Sequence, residues 1–260
     1  MIDRATEQRR LAQVLHRKPE ELAHLKALDG EGLMKLRTLV QNSFIDQFKD
    51  LFVKLANSGK IVPDAVSALL CRKVFGPALT ANMSYYVPAD RAARMCKHFD
   101  ADFMAAIARE QVPERAKALL DGLPVELMQQ VMRKMLATKD YHIMGAFLDH
   151  LPEKKAEILM QELRDVADHL RISGFAQHKD RVARLAFKLD DEHLEKLITV
   201  AFAHAEFMLD IGLVTAEMNA DQQKRMAKVT DAIDPQHRKK AKHLAEQTGY
   251  ADRLTAYFSA

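Results

Sequence analysis

The chain has 260 residues, of which 48% are hydrophobic and 29% charged, and its formal net charge is +3. This apolar content excludes a disordered chain. The small net charge argues against a dedicated nucleic-acid binder, which carries a stronger basic field. Because only nine glycines and eight prolines occur and helix-favouring residues dominate, the sequence predicts an all-α protein.

The first segment, residues 1–60, is predicted to form helices of its own that cap the rest of the chain. Its first ten residues are highly charged and no apolar core follows them. Neither a secretion signal nor a membrane anchor is therefore expected, and a cytoplasmic location is predicted. The run Asp29-Gly30-Glu31-Gly32 is typical of a turn between two helices.

An internal repeat starts at residue 61. Val-Pro pairs recur there at an interval of 25 residues and two Leu-Pro pairs follow, at Val62-Pro63, Val87-Pro88, Val112-Pro113, Leu123-Pro124 and Leu151-Pro152. Proline is well tolerated in the first turn of a helix, so each pair predicts a helix start. Evenly spaced helices of this kind stack on one another. Residues 61–214 are therefore predicted to form a HEAT-like helical-repeat array, an α-solenoid or superhelix with non-repeat helices at both ends.

The two cysteines, Cys71 and Cys96, each lie eight residues after a repeat proline. They therefore occupy equivalent positions in neighbouring repeat units and are predicted to be packing residues. Because no secretion signal is expected, reduced thiols are favoured over a disulfide.

Two runs within the repeat carry a family resemblance, from Val112 to Pro124 and from Phe147 to Leu159. They resemble the helical repeats of the cytosolic N-domain of magnesium transporters and the related middle segment of the flagellar motor-switch protein. The resemblance covers roughly residues 60–165. It implies a right-handed helical superhelix used for regulation or docking, without catalysis. The loops lack the dense carboxylates of a magnesium sensor, so no metal site is predicted.

Thirteen methionines and no tryptophan give the chain an unusual apolar composition. Methionine adapts to changing apolar partners, so a local cluster of methionines and aromatic residues predicts a groove for a partner helix or an apolar ligand. The spacing is also that of an ordinary buried helix face, so core packing stays open as an alternative. The predicted site residues are Met128, Met132, Met135, Tyr141, Met144 and Phe147.

The most continuous apolar stretch runs from His193 to Val214, but charged residues interrupt it. It is therefore predicted to be one buried helix and not a membrane span. His204 would lie on the apolar side of that helix as a core histidine, with a ligand or general-base role as the alternative.

The last segment, residues 215–260, is polar and is predicted to be a helical cap with a break near Asp234-Pro235 and a final helix reaching Tyr257. It holds the strongest local charge feature, a basic patch formed by Arg238, Lys239, Lys240 and Lys242. Such a patch fits phosphate, an acidic partner or an anionic membrane surface, and a solvated helix face is the alternative. No aromatic residues interleave with it, which argues against RNA.

These patterns predict a non-catalytic interaction or regulatory protein that binds a macromolecular partner, expected to be a protein, on its curved face. No cofactor or metal is predicted, because His-Glu-x-x-His, Cys-x-x-Cys and Gly-rich phosphate loops do not occur. The alternative is a carrier or sensor of an apolar small molecule held between stacked helices. A third hypothesis is an enzyme of unrecognised type that uses His204, Glu206 and Asp210.

Overall fold

The computed structural model describes residues 4–58 and 62–260. These residues form two compact units, unit 1 up to Ala137 and unit 2 from Thr138 to Ala260. All regular structure in these described residues is helical, and it includes eighteen α-helices. The all-α prediction is therefore confirmed. The two units divide the chain differently from the predicted segments 1–60, 61–214 and 215–260, whose roles as caps and repeat array stay predictions.

Unit 1 contains nine α-helices in its described residues, together with two 3₁₀ helices, Pro19–Leu25 and Pro113–Arg115, and a π turn, Cys71–Phe75. The α-helices are α1 Arg4–Val14, α2 Gly30–Gln47, α3 Lys49–Ser58, α4 Asp64–Leu70, α5 Gly76–Ser84, α6 Ala89–Cys96, α7 Ala101–Glu110, α8 Lys117–Gly122 and α9 Val125–Ala137.

Helix α1 packs against α2, and from α3 onwards the helices of unit 1 pack against the second helix after them in the chain. One row runs from α3 to α5, α7 and α9, and the other runs from α4 to α6 and α8. Alanines are almost fully buried in both rows, among them Ala68, Ala81 and Ala105. Small side chains at these positions let the helices approach closely, because little volume separates the backbones.

Unit 2 contains the other nine α-helices. They are α10 Tyr141–Leu148, α11 Glu153–Gln161, α12 Val166–Phe175, α13 Lys179–Phe187, α14 Asp191–Ala203, α15 Ala205–Ala216, α16 Ala220–Ile233, α17 Pro235–Thr248 and α18 Thr255–Ser259. The same spacing of contacts recurs, since one row joins α10, α12, α14 and α16 and another joins α13, α15 and α17.

The prolines of the repeat start helices as predicted. Pro113 lies in the first turn of the 3₁₀ helix Pro113–Arg115, whereas Pro63, Pro88 and Pro152 occupy the N-cap position. Pro63, Pro88 and Pro152 have φ between −51° and −54° and ψ between 134° and 144°, and the helix begins at the next residue. Each proline carbonyl accepts the first intrahelical hydrogen bond at 2.9 Å. The ring fixes φ and the missing N–H leaves no donor unsatisfied, so the boundary is sharp.

The predicted turn at residues 29–32 is wrong, because α2 begins there. The side chain of Asp29 accepts a hydrogen bond from the backbone N–H of Gly32 at 2.8 Å, which makes Asp29 the N-cap of α2. An aspartate at this position satisfies a backbone N–H that has no partner inside the helix.

The predicted single helix from His193 to Val214 is also wrong. Helix α14 ends at Ala203 and α15 begins at Ala205, with His204 between them in an extended conformation at φ −129° and ψ 112°. His204 is exposed, so it is not a core histidine. The break lets α15 fold back on α14, so that Leu194 and Val214 line the same small cavity.

The two features predicted for the C-terminal segment are confirmed. The helix break lies at Asp234, whose side chain accepts a hydrogen bond from the N–H of Gln236 at 2.8 Å, and α17 starts at Pro235. The last helix, α18, includes Tyr257. Its buried hydroxyl is 3.1 Å from the hydroxyl of Thr230, which holds α18 against α16.

Candidate functional site

The apolar residues of the predicted methionine site are buried within the two units. Met128, Met132 and Met135 lie on α9 of unit 1 and are 4–8% exposed. Met144 and Phe147 lie on α10 of unit 2 and are each 8% exposed. Such burial is what core packing requires. Their role in partner binding stays a prediction.

Tyr141, the remaining residue of that predicted site, takes part in a polar contact between α10 and α12. Its hydroxyl donates a hydrogen bond to Asp168 at 2.7 Å, and Arg171 lies 3.2 Å from the same carboxylate oxygen. Burial, followed by the adjacent Asp168, raises the pKa of Tyr141. The guanidinium of Arg171 also lies 5.4 Å from the centre of the Tyr141 ring and 6.0 Å from that of Phe207. This arrangement links α10, α12 and α15.

The basic patch consists of three exposed lysines and one half-buried arginine. Lys239, Lys240 and Lys242 are exposed on α17. Arg238 is half-buried and lies 3.2 Å from Asp231, while it also donates to the carbonyl of Ala260 at 2.7 Å. Arg238 therefore has a local structural role, and the three lysines are the ones that face solvent. Anion binding by this patch stays a prediction.

The residues of the enzyme hypothesis have different surroundings. His204 is exposed at the break between α14 and α15, where its ring meets that of Phe207 edge-on at 5.7 Å. Asp210 lies 3.2 Å from the ammonium of Lys179. The side chain of Glu206 lies outside the described residues. Lys179 also donates to the carbonyls of Ser173 and Gly174, so Asp210 belongs to a contact that holds the end of α12.

An open apolar cleft of about 530 Å³ lies in unit 1 between α1, the 3₁₀ helix Pro19–Leu25 and α2. We name this cleft the N-terminal groove. Arg17, Glu21 and His24 stand at its polar rim. Its apolar lining consists of Leu11, Leu15, Leu22, Leu25, Leu36 and Val40. A volume of this size falls within the range of about 300–1,000 Å³ that is typical of binding sites.

The end of α1 shapes the mouth of the groove. His16 has φ 52°, in the left-handed region, and the N–H of Arg17 donates to the carbonyl of Ala12 at 2.8 Å. This left-handed residue ends α1. The 3₁₀ helix then starts at Pro19, and the backbone N–H of Lys18 donates to the carboxylate of Glu21 at 2.9 Å. The reversal leaves Leu15 exposed at the edge of the groove.

The segment that carries the rim of the N-terminal groove has a small excess of basic residues. Residues 15–26 contain three Lys or Arg residues, Arg17, Lys18 and Lys26, and two acidic residues, Glu20 and Glu21. Glu21 is engaged by the Lys18 N–H, and its carboxylate is 4.0 Å from Arg17. Lys18 and Lys26 therefore leave the segment with one positive charge in excess, which favours acidic groups beside the apolar surface.

A second apolar surface of unit 1 lies on α4, the π turn and the start of α5. Five aliphatic side chains are between 39% and 67% exposed there, and we name them the α4 ridge: Val66, Leu69, Leu70, Val74 and Leu79. The opposite side of α4 and the start of the π turn present Ser67, Ala68 and Cys71 to the interior, where all three are buried. Single exposed leucines are common, but five exposed aliphatic side chains within fourteen consecutive residues favour an interaction surface.

The sequence pattern did not predict either the N-terminal groove or the α4 ridge. In the groove, the useful signal was the helical spacing of Leu11 and Leu15 on α1 and of Leu36 and Val40 on α2. On α4 the sequence is apolar on almost every side, so its pattern did not show which face would stay in solvent.

A third space, in unit 2, is an apolar cavity of about 70 Å³. Leu148, Leu170, Leu194 and Ile198 are among its lining residues. It is well below the roughly 300 Å³ at which sites for drug-sized ligands begin. The cavity therefore offers little room to the apolar small molecule of the carrier hypothesis.

Three further findings concern the chain as a whole. In the part of the chain that the structure describes, no helix combines the length and apolar character needed to cross a bilayer. Within the same ranges, 4–58 and 62–260, no three His, Cys, Asp or Glu side chains group as metal ligands would. Comparison with protein-family models, with curated proteins and with solved structures gives no match.

Proposed function

We propose that this protein is a non-catalytic helical-repeat interaction protein whose N-terminal groove binds an amphipathic helix of a protein partner. The partner helix carries acidic residues beside its apolar face. The observation that carries this proposal is the open 530 Å³ cleft with an aliphatic lining, beside a segment with one more basic than acidic residue. An amphipathic helix in a groove is a recurring mode of recognition, in which apolar anchors enter the lining and flanking charges meet the rim.

The helical-repeat part of the proposal is a HEAT-like solenoid within each unit. It is supported by the contacts of each helix with the second helix after it, in the rows α3–α5–α7–α9 and α10–α12–α14–α16. Solenoids of this type present extended surfaces for partners. A regulatory or docking role also agrees with what the resemblance to the magnesium-transporter and motor-switch repeats implies.

The test uses two labelled peptides of about 16 residues, which form a helix of about 24 Å. Both carry leucines at helical spacing, and they differ only in flanking glutamates or flanking lysines. Fluorescence anisotropy measures their binding to the full chain. We expect the glutamate peptide to bind at least tenfold more tightly than the lysine peptide, with an affinity that falls as salt is added.

Two variants localise that binding. Leu15→Glu places a charge at the edge of the groove and is expected to weaken the glutamate peptide at least tenfold. Ile158→Glu alters an exposed aliphatic residue of unit 2 and is expected to leave binding unchanged. Equal binding of both peptides, or unchanged binding by Leu15→Glu, would contradict the proposed function.

A further inference from the structure

Helix α4 is at the start of the row α4–α6–α8. Its inner side contacts α6, and the guanidinium of Arg91 on α6 lies 3.0 Å from the carboxylate of Asp64 at the start of α4. Its outer side is the α4 ridge, which the described residues leave between 39% and 67% exposed. In stacked helical arrays, each helix of a row is covered on one side by the helix before it. The first helix has no such predecessor, so its outer face needs another cover.

The π turn brings the ridge into line. In an α-helix, side chains four residues apart point about 40° away from each other around the helix axis. A π turn has more residues per turn, so it reduces this rotation. Here the N–H of Gly76 donates to the carbonyl of Cys71, five residues earlier. The wider turn carries Val74 towards the line of Val66 and Leu70. Gly76, at φ 72°, then ends the segment, since this backbone conformation favours glycine.

The area of the ridge, with the side chains around it, is close to the lower limit for a specific interface between two identical surfaces. Five aliphatic side chains, each about half exposed, present on the order of 400 Å² of apolar surface. Two ridges and the side chains around them would bury roughly 1,000 Å² in total, which is the lower limit for a specific protein interface.

The charges beside the ridge are largely paired within the same unit. Arg72 lies 3.4 Å from Asp100, and Asp64 is bonded to Arg91 and to Arg94 at 3.0 and 2.8 Å. A surface that binds an anionic membrane or a strongly charged partner carries an excess of one sign. Among the described residues of the ridge, exposed Lys73 adds one positive charge to these pairs, which is no strong excess of either sign. An apolar surface of the same kind is therefore the fitting partner.

We propose that a second copy of this chain covers the α4 ridge. The two ridges pack antiparallel about a two-fold axis near Leu70, and the row α4–α6–α8 of one copy continues into the same row of the other. This isologous contact closes on itself and leaves no ridge uncovered. It is separate from the N-terminal groove and does not depend on the function proposed for that groove.

Sedimentation velocity of the full chain at about 50 μM tests this proposal, since micromolar affinity is common for interfaces of this size. We expect a species of twice the 29.5 kDa chain mass. Leu69→Asp is expected to raise the dissociation constant at least 100-fold and to give the monomer, with an unchanged circular dichroism spectrum. The matched control is Ile158→Asp, an exposed aliphatic position of unit 2, which keeps the dimer.

A cross-link locates the axis independently. Leu70→Cys places a thiol beside the proposed axis and is expected to give a disulfide-linked dimer under mild oxidation. The wild-type chain serves as the control, because Cys71 and Cys96 are buried and free. A monomer at 50 μM, or a dimer that Leu69→Asp leaves intact, would overturn the proposal. Binding of the ridge to neutral lipid vesicles by a monomeric chain would overturn it as well.

Discussion

The carboxylate of Glu7 on α1 and the guanidinium of Arg37 on α2 lie 3.0 Å apart in the interior of unit 1. Glu7 is 0% exposed, and Arg10 of the same helix approaches its other oxygen at 2.8 Å. A carboxylate can be buried in this way only when cations and hydrogen bonds compensate its desolvation. The contact joins the two helices whose leucines line the N-terminal groove, so it positions both walls of that groove.

Replacing Glu7 by leucine is expected to destabilise unit 1 strongly. The variant leaves the guanidiniums of Arg10 and Arg37 buried without their shared carboxylate, and removal of one partner from a buried ion pair costs about 3–5 kcal/mol. Urea unfolding measures the loss. Glu31→Gln, which breaks the exposed pair with Lys35, is the control and should change little. A loss below about 1 kcal/mol for Glu7→Leu would show that the cluster contributes little net stability.

Gly145→Ala is expected to destabilise unit 2 by about 1–3 kcal/mol. A Cβ at Gly145 on α10 would lie 2.6 Å from the carbonyl oxygen of Ile172 and 2.6 Å from the Cβ of Phe175, both on α12. The two helices would have to separate. Gly122→Ala is the matched substitution, because its nearest neighbours would be 3.6 Å away. Thermal unfolding should show a lower midpoint for Gly145→Ala alone, and equal midpoints would contradict the close approach of α10 and α12.

The free energy of unfolding is expected to fall as the pH rises above about 9. Burial raises the pKa of the Cys96 thiol from an ordinary value of 9.0 to about 12, and it raises the pKa of Cys71 in the same direction. Above pH 9 the unfolded chain loses a proton that the folded chain keeps at Cys96, so alkaline pH favours unfolding. The slope is about 1.4 kcal/mol per pH unit for one thiol.

Cys96→Ala provides the comparison for this alkaline effect. Urea unfolding between pH 8 and about 11 gives the free energy of unfolding at each pH. This free energy should fall less steeply with pH for the variant, and the difference corresponds to up to one proton. Parallel slopes for the two proteins would show that Cys96 ionises equally in the folded and unfolded states. Thiol labelling at pH 8 should likewise be slow in the native protein and fast in denaturant, because the thiolate is the reactive form.

Met132→Ala distinguishes core packing from partner binding as the role of the methionine cluster. Since Met132 is 8% exposed on α9, its truncation is expected to cost about 2–5 kcal/mol of stability by leaving a cavity. Urea unfolding measures this, with the groove-edge variant Leu15→Glu expected to lose far less. If Met132→Ala keeps the stability of the wild-type chain but no longer binds a partner, Met132 belongs to the predicted partner site instead.

The fold could be predicted from the sequence where a residue acts through its own backbone. Pro63, Pro88 and Pro152 fix φ and remove an N–H wherever they stand, so the helix starts were visible without neighbours. His204 has no such effect. Helix α14 ends there although neither glycine nor proline lies in the preceding turn, and the break depends on how α15 packs back onto α14.

The candidate sites were harder to predict because exposure is a property of the assembled unit. Met128 and Val66 are both apolar residues on predicted helices, yet Met128 is buried and Val66 is nearly half exposed. The difference follows from position in the row, since α9 packs on α7 whereas the outer side of α4 stays open. Periodicity identifies an apolar face but not the neighbour that covers it.

Within the rows, the packing of a helix on the second one after it has a kinetic consequence. Contacts between helices so close in the chain close only short loops, and chains with such local contacts fold in microseconds to milliseconds. Each row can also grow one helix at a time, because a new helix needs only its predecessor in the row as a surface. Unit 1 can therefore assemble while the residues of unit 2 are still being added at the ribosome.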